Sequence, residues 1–309
     1  MYSDIFLNID FYWKGGLNPI KKNIKLANNA GFCYGVKRAV DTTKKLKSEN
    51  PEKNISVLGE LIHNSHVISE LNDLGIKTLT TLPDKGKGIC IIRSHGESEE
   101  VFKEIQNKGF EIVDLTCFDV KKVQNKAIEL AKNDYLVLIL GKEEHPEVKA
   151  ICANAQNCAK HKENVIVISS LDKLKQFENI IKTSPKTGVV LQTTQTIEFL
   201  FEIIDYLTKI CKVLKVENTI CPSTSLRQNE AKELAKNSDL MVVVGSKKSA
   251  NTTHLAEILK NCTKTIHIEN DSELDENLFT NIQNIGITAG ASTPQTIIDK
   301  VINKIKGGI

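Results

Sequence analysis

The sequence predicts an α/β protein made of three similar modules, each with a small, mainly parallel sheet. Strand-like apolar runs alternate with helix-length stretches throughout the chain, which is the order of parallel sheets covered by helices. A cysteine stands between a strand-like and a helix-like run at three places: Cys33, Cys117 and Cys221. At nearly equal distances beyond these cysteines, a second apolar run stops at a glycine: Gly59, Gly141 and Gly245. The threefold repeat predicts three copies of one unit.

Residues 1–22 precede the first copy, and we interpret them as an N-terminal extension. They include Asp4 and Asp10 and no arginine, whereas organelle transit peptides are rich in arginine and poor in acids. A secretory signal is not recognisable either, and eight scattered cysteines do not form a disulfide framework. These features favour a cytoplasmic protein.

The first module is predicted at residues 23–116. Its cysteine lies in the segment AGFCYGVKRA, and its first strand, ISVL, ends at Gly59. His63 follows that glycine by four residues. A later apolar run, ICII, leads into RSHG and places His95 at a strand end. Loops at the carboxyl ends of parallel strands commonly carry ligand-binding groups.

The second module is predicted at residues 117–219. Its first helix shows apolar positions at three-to-four spacing, namely Val120, Val123, Ala127 and Leu130. The strand YLVLIL ends at Gly141, and His145 follows by four residues, with Glu147 two positions later. Thr193 follows the apolar run VVLQ.

The third module is predicted at residues 220–309. The same helical spacing appears at Leu226, Ala231, Leu234 and Ala235. The strand LMVVV ends at Gly245, and Ser249 and Asn251 stand at the offsets that His145 and Glu147 have in the second module. Ser292 follows the run IGITAGA.

Composition excludes several classes of function. Hydrophobic residues make up 40% of the chain and charged residues 26%, as in ordinary globular proteins. No apolar run approaches the roughly 20 residues of a membrane helix. The net charge is +3 and the charges are well mixed, so we expect no nucleic-acid partner and no membrane attachment.

The three repeated cysteines are candidate metal ligands. A lone cysteine is usually a small buried hydrophobe, but coincidence in three copies of one frame favours a shared role. No CxxC pair of the zinc-finger type occurs in the sequence. Three thiolates can hold a [4Fe–4S] cluster and leave one iron free to bind a substrate oxygen. The remaining cysteines lack this frame: Cys90 is predicted to be core, and Cys152, Cys158, Cys211 and Cys262 are predicted to be ordinary thiols.

The polar residues after the strands form a candidate site for an anionic group. Imidazole and hydroxyl donors together with loop amides suit a diphosphate. The matched positions single out His63 and His145, whereas His66, His161, His254 and His267 lack the frame. Glu147 is a candidate proton donor or relay because it lies beside His145 in the same loop.

Nine ordered segments across residues 24–305 resemble the 4-hydroxy-3-methylbut-2-enyl diphosphate reductase family of the methylerythritol phosphate route to isoprenoids. The segments are AGFCYGVKRA, ELIHN, RSHG, DLTC with VKKV, HPEV, LQTTQT, TICPST with RQNEA, VVGSKKSAN and TAGAST. Nine segments in order are far more specific than one short motif.

The resemblance implies a pseudo-threefold trefoil of three α/β domains around a central [4Fe–4S] cluster with three Cys ligands. Cys33, Cys117 and Cys221 would hold the cluster, and Glu147 would feed protons to the substrate hydroxyl, beside Thr193. The diphosphate would be surrounded by His63, His95, His145, Ser249, Asn251 and Ser292. The implied reaction removes the allylic hydroxyl with two electrons and two protons, giving isopentenyl and dimethylallyl diphosphates.

The implied electron donor is a ferredoxin or a flavodoxin. We expect the protein to be a monomer or a weak dimer. Phe118 stands where a proline usually follows the second cluster cysteine, Ala150 and Ala153 replace glycines, and Ala250 replaces a serine. None of these departures touches a ligand thiol or the acid, so we expect activity to be retained.

Two other classes of function remain open at this point. One is a non-catalytic protein that binds a phosphorylated ligand or senses redox state with the same fold and cluster. The other is a nucleotide-binding α/β enzyme, for which the sequence lacks both GxGxxG and GxxxxGKS/T.

Overall fold

The fold is seen in a computed structural model that describes the backbone of residues 6–13 and 20–307. Within these residues three sheets form, and all their strand pairs are parallel except one. The α/β class and the small, mainly parallel sheets predicted from the sequence are confirmed. The chain divides into two compact units. The first comprises the described parts of Met1–Lys37, Ile62–Ser69 and Pro222–Ile309, and the second comprises Arg38–Leu61 and Glu70–Cys221.

The elements alternate along the chain as the sequence predicts. The N-terminal strands are β1 (Phe6–Trp13) and β2 (Ile20–Ala27). The next elements are α1 (Tyr34–Glu49), β3 (Ile55–Leu58), α2 (Ser65–Asp73), β4 (Lys77–Leu79), β5 (Ile89–Ile92), α3 (Glu99–Asn107) and β6 (Glu111–Asp114). Then come α4 (Phe118–Lys132), β7 (Leu136–Leu140), α5 (Pro146–Gln156), β8 (Val165–Ile168), α6 (Leu171–Lys175), α7 (Glu178–Thr183), β9 (Thr187–Leu191), α8 (Ile197–Leu207) and β10 (Leu214–Val216). The last are α9 (Pro222–Ala235), β11 (Leu240–Val244), α10 (Ala250–Lys260), β12 (Thr265–Ile268), β13 (Asn284–Ala289) and α11 (Gln295–Gly307).

One strand order recurs in all three sheets. The second unit contains the sheets β4-β3-β5-β6 and β8-β7-β9-β10, and the first unit contains β12-β11-β13-β2-β1. Each sheet thus begins at one edge with the second strand of its module. The first strand lies next to it, and the third strand and a fourth strand follow across the sheet. The repeat in the sequence is therefore a repeat of topology.

The fourth strand of the third sheet comes from the start of the chain. Strand β2 pairs in parallel with β13, and β1 pairs with β2 in an antiparallel register. Of the predicted extension, residues 1–5 and 14–19 lie outside the described residues, and residues 6–13 form β1. The predicted boundaries of the extension and of the three modules stay a prediction.

Strands buried on both faces explain the continuous apolar runs. In β11, Leu240, Val242 and Val244 pack with α11, whereas Met241 and Val243 pack with α9 and α10. The β7 run LVLIL alternates in the same way between a cluster with α8 and a cluster with α4 and α5. Successive side chains of a strand point to opposite faces, so two helix layers need apolar residues at every position.

Two predicted helices test the periodicity of the sequence. The four apolar positions at helical spacing in α4, from Val120 to Leu130, are all buried. The helix predicted around Leu226 is present as α9, but Leu226, one of the apolar positions of its period, is 58% exposed. Arg227 and Glu230 are buried instead, since they bind the backbone near Cys33, as described below. Polar contacts override the apolar period at this point.

Candidate functional site

The three repeated cysteines share one backbone arrangement. Each directly precedes a helix, and Cys117 is the N-cap residue of α4. Each cysteine amide donates to the carbonyl of the second residue past a third strand: Cys117 to Ser94 at 3.0 Å, Cys221 to Thr193 at 3.0 Å and Cys33 to Ala291 at 3.2 Å. The three thiols are partly buried, and none of them forms a disulfide. A helix N-terminus favours negative charge, as on a thiolate ligand.

The loops that follow β5, β9 and β13, called the third-strand loops, can be aligned by these amide bonds. Thr193 then corresponds to Ser94 and to Ala291. His95 and Ser292 stand one position later, where the second module has Thr194. Thr193 follows the third apolar run of its module as His95 and Ser292 do, but by this alignment it stands one position earlier than they do.

Glu147 is the buried acid of the second unit. It is only 2% exposed, in the first turn of α5. The Thr193 amide donates to Glu147 Oε1 at 2.6 Å, and the Thr193 hydroxyl donates to Oε2 at 2.8 Å. Burial raises the pKa of Glu147 to about 7, against the lowering effect of both Thr193 bonds, and nearby Asp119 adds a smaller increase. A carboxyl group with this pKa can both give and take a proton at neutral pH.

His145 is fixed by its position at the helix end. It is the N-cap residue of α5, and its Nδ1 accepts from the Glu147 amide at 3.2 Å. A neutral ring that accepts at Nδ1 carries its proton on Nε2. The His95 ring lies edge-on to the His145 ring, with a centroid distance of 5.3 Å. Two of the predicted diphosphate ligands are therefore neighbours in the second unit.

Asp119 is a neighbour of the predicted cluster ligands that sequence reasoning missed. The Cys221 thiol donates to Asp119 Oδ2 at 2.8 Å. Asp119 lies in the first turn of α4, two residues after Cys117. A single aspartate gives no repeated signal in the sequence, because the other two modules have no acid at that offset from their cysteines.

In the first unit, Ser249 and Asn251 lie at the start of α10. Ser249 caps the helix, and its hydroxyl accepts from the Thr252 amide at 3.4 Å. Asn251 is 6% exposed. Its side-chain nitrogen has no hydrogen-bond partner among the described residues. A buried donor without a partner costs free energy, so this amide is suited to receive an acceptor from a ligand.

His63 and Ser292 also meet in the first unit. The Ser292 hydroxyl donates to the His63 carbonyl at 3.3 Å. His63 does not cap its helix as His145 does. Asn64 takes that place, and its Oδ1 accepts from the amides of His66 at 3.1 Å and Val67 at 3.2 Å. The first module thus has one more residue between the glycine and the cap.

The eleven predicted residues fall in both units. Cys33, His63, Ser249, Asn251 and Ser292 lie in the first. The second contains His95, Cys117, His145, Glu147, Thr193 and Cys221.

Two buried residues of α9 hold the loop that leads to Cys33, and the sequence pattern does not reveal them. Glu230 accepts from the amides of Asn28 at 2.7 Å and Asn29 at 2.9 Å. Arg227 donates to the carbonyl of Asn29 and, at 2.9 Å, to that of Ala289. The helix after the third cysteine therefore positions the loop before the first.

Gln192 is another missed residue. It is fully buried, accepts from the Lys142 amide at 3.2 Å and donates to the Thr194 hydroxyl at 3.0 Å. It joins the Thr193 loop to the loop that carries His145.

The other five cysteines lie outside the repeated frame. Cys90 is fully buried, and burial raises its pKa to about 11. Cys152, Cys158, Cys211 and Cys262 are free. The core assignment of Cys90 is confirmed.

No helix within the described residues is both long and apolar enough to cross a membrane.

Comparison with known proteins gives a consistent result. The family model described as "LytB protein" matches residues 24–306. A 4-hydroxy-3-methylbut-2-enyl diphosphate reductase of Syntrophotalea carbinolica is 39% identical over 91% of this chain and 98% of its own length. The enzyme of the same name from Clostridium perfringens strain SM101 is 42% identical over 93% of this chain and 99% of its own length.

Two solved structures share the fold over nearly the whole chain. One is (E)-4-hydroxy-3-methyl-but-2-enyl diphosphate reductase, described as the terminal enzyme of the non-mevalonate pathway. It is 36% identical, with a TM-score of 0.68 over 92% of this chain and 99% of its own. The other is the E-1-hydroxy-2-methyl-but-2-enyl-4-diphosphate reductase of Plasmodium falciparum. It is 26% identical, with a TM-score of 0.82 over 91% of this chain and 86% of its own.

Proposed function

The chain belongs to the LytB protein family, whose named relatives are 4-hydroxy-3-methylbut-2-enyl diphosphate reductases, and on this premise we propose the reaction it catalyses. The resemblance stated from the sequence is confirmed, and the chain is an oxidoreductase of isoprenoid synthesis. We propose that it reduces (E)-4-hydroxy-3-methylbut-2-enyl diphosphate to isopentenyl and dimethylallyl diphosphates. The observation that carries this proposal is a buried acid, Glu147, held at both carboxylate oxygens by Thr193.

The overall reaction needs two electrons and two protons. The allylic carbon–oxygen bond breaks, one proton leaves with the hydroxyl as water, and the other joins carbon to form the product. A group that is protonated at neutral pH must serve the leaving hydroxyl. Glu147 meets this requirement, because burial brings its pKa to about 7.

Thr193 has two tasks in this proposal. Its amide and hydroxyl fix the orientation of the Glu147 carboxyl group. By lowering the pKa of Glu147 against the effect of burial, it also keeps the acid able to exchange a proton near neutrality. Its loop position supports the predicted place beside the substrate hydroxyl.

The proposed cofactor is a [4Fe–4S] cluster held by Cys33, Cys117 and Cys221. The residues fit this group, because the three thiols are partly buried, are not held in disulfides and lie directly N-terminal to helices. When bound, such a cluster supplies electrons and one iron without a cysteine ligand.

The diphosphate is proposed to bind the polar residues at the strand and helix ends. The side-chain amide of Asn251 is a buried donor ready for an acceptor. His145 presents an Nε2–H because its Nδ1 is occupied by the Glu147 amide. The other proposed ligands of the diphosphate are His63, His95, Ser249 and Ser292. Donors of this kind, at helix N-termini, suit phosphate oxygens.

The electron donor is proposed to be a ferredoxin or a flavodoxin, and the protein is proposed to act in the cytoplasm as a monomer or a weak dimer. Neither nucleic acid nor a membrane is part of the proposed function.

Anaerobic purification followed by iron, sulfide and activity measurements tests the proposal. We expect about four irons and four sulfides per chain and conversion of the allylic diphosphate with a chemical reductant. Replacing any of the three ligand cysteines by serine should lower the iron content, whereas Cys262→Ser should leave it unchanged. Zinc without sulfide in the purified protein would exclude the cluster, and a loaded protein without turnover would favour a sensor or binding protein.

A further inference from the structure

His95 stands in a tight turn between β5 and α3. The Gly96 amide donates to the Arg93 carbonyl at 3.0 Å, which places His95 at the third position of a four-residue turn. Gly96 has a φ of +73°, a conformation that favours glycine. The Cys117 amide holds the Ser94 carbonyl inside this turn, and the side chains that hold the residues on either side of His95 also bear on where the imidazole lies.

An ion pair joins the first residue of the turn to the residue that follows the turn. Arg93 Nη2 lies 3.1 Å from Glu97 Oε1, and both side chains are largely buried, at 16% and 17% exposed. The guanidinium fills the space above Gly59, where a Cβ atom would lie 2.4 Å from Arg93 Nη1. Gly59, the residue after β3, thus leaves room for the ion pair. The ion pair joins the residues two positions before and two positions after His95.

A second anchor comes from the helix that carries Glu147. Asn154, 7% exposed, accepts from the Glu99 amide at 2.9 Å and donates to the Glu97 carbonyl at 3.3 Å. The amides of a first helical turn lack partners within the helix, and Asn154 supplies one for α3. It lies on α5, whose N-cap is His145. The turn with His95 is therefore tied to the same helix that orients His145 and Glu147.

We propose that Arg93, Glu97 and Asn154 are positioning residues that set the His95 ring against the His145 ring for diphosphate binding. The two ring centroids lie 5.3 Å apart with an interplanar angle of 82°. Two donors aimed at one anion must keep a fixed separation, since small displacements at a binding site cost affinity. This inference rests on the proposed function, because it takes His95 to be a diphosphate ligand.

The test is a double-mutant cycle read by calorimetric binding of inorganic diphosphate to the anaerobically purified protein. We expect Asn154→Ala to raise the dissociation constant about tenfold, a typical cost for loss of a supporting partner. His95→Ala should raise it at least as much, and the double variant no further than His95→Ala alone. This non-additivity is the signature of a residue that acts through His95.

Asn157→Ala is the matched control. Asn157 also joins α5 to α3, through its bond to Glu100, but it is exposed and lies at the far end of α5. We expect diphosphate affinity to be unchanged in this variant. An equal loss in Asn157→Ala and Asn154→Ala would show that general helix contacts matter and would overturn the positioning role.

Glu97→Gln provides a second route should Asn154→Ala fail to fold. It keeps the shape of the side chain, and thermal unfolding reports its stability. The expected result is again weaker diphosphate binding that disappears in the His95→Ala background. A loss of affinity that persists without His95, or no loss at all, overturns the inference. Failure of the proposed function looks different: His95→Ala itself would then leave diphosphate binding unchanged.

Discussion

The loops that open α5 and α10 share one backbone plan and carry different chemistry. His145 and Ser249 stand four residues past the glycines that end β7 and β11, and each caps its helix. Two residues later each loop buries a polar side chain, Glu147 in one and Asn251 in the other. The Glu147 carboxylate accepts two hydrogen bonds from Thr193, whereas the Asn251 amide nitrogen has no partner among the described residues.

The third-strand loop explains this difference. By the cysteine amide bonds, Thr193 and Ala291 occupy equivalent positions. The threonine hydroxyl can hold a carboxyl group, but alanine has no polar side-chain atom. One copy of the module therefore holds an acid in place, and the other has a buried side-chain nitrogen without a partner among the described residues. The two copies differ at two equivalent positions, where Glu147 stands against Asn251 and Thr193 against Ala291.

The largest expected effect is on catalysis in the acidic copy. We expect Glu147→Gln to lower kcat by about 10³-fold, because general acid catalysis contributes on this order. Cluster content and diphosphate affinity should be unchanged, since glutamine keeps the size of the side chain and its carbonyl oxygen can still accept from the Thr193 amide. Single-turnover kinetics with anaerobic protein would measure the effect. Retained turnover in the variant would remove Glu147 from the proton path.

The second effect is on stability and comes from the same acid. Its folded-state pKa of about 7 lies above the ordinary 4.5, so the folded state favours the protonated form. Below pH 4.5 the acid imposes no penalty. Between pH 4.5 and 7 the unfolded state ionises first, and stability falls by roughly 3 kcal/mol.

This loss of stability can be measured by urea unfolding of the wild type and of Glu147→Gln at pH 4 and at pH 8. From pH 4 to pH 8, the free energy of unfolding of the wild type should fall by roughly 3 kcal/mol relative to that of the variant. A difference independent of pH would mean that Glu147 ionises normally in the folded protein.

A smaller effect is expected in the copy without the acid. Asn251→Ala should weaken binding of inorganic diphosphate about tenfold, the typical value of a hydrogen bond to a charged group, while kcat changes little. Asn261→Ala, at the exposed C-cap of the same helix, is the matched control. Equal affinities in the two variants would contradict the role of the Asn251 amide.

The smallest effect concerns Thr193. Thr193→Val removes the hydroxyl donor and keeps the amide donor, so we expect kcat to fall a few-fold. Because the lost bond lowers the pKa of Glu147, the limb of the pH–rate profile that reports this acid should move to higher pH. Thr193→Ser retains the hydroxyl and should behave as the wild type. A shift to lower pH would be inconsistent with the proposed bond.

Part of the fold could be predicted because its signal is local. The apolar run of β7 and the helical period of α4 each follow from neighbouring residues, and the repeat of Cys33, Cys117 and Cys221 is visible as spacing. Local patterns did not place Leu226, because buried polar contacts of Arg227 and Glu230 with a distant loop determine which face of α9 is inside.

The sequence by itself determined the α/β class, the threefold repeat and the identity of the candidate residues. Only the tertiary structure decided that β2 completes the third sheet, that Thr193 holds Glu147, and that burial brings this acid to a pKa of about 7. The physical reason is distance along the chain. Propensity and periodicity act between neighbours, whereas hydrogen bonds and desolvation depend on which remote segments folding brings into contact.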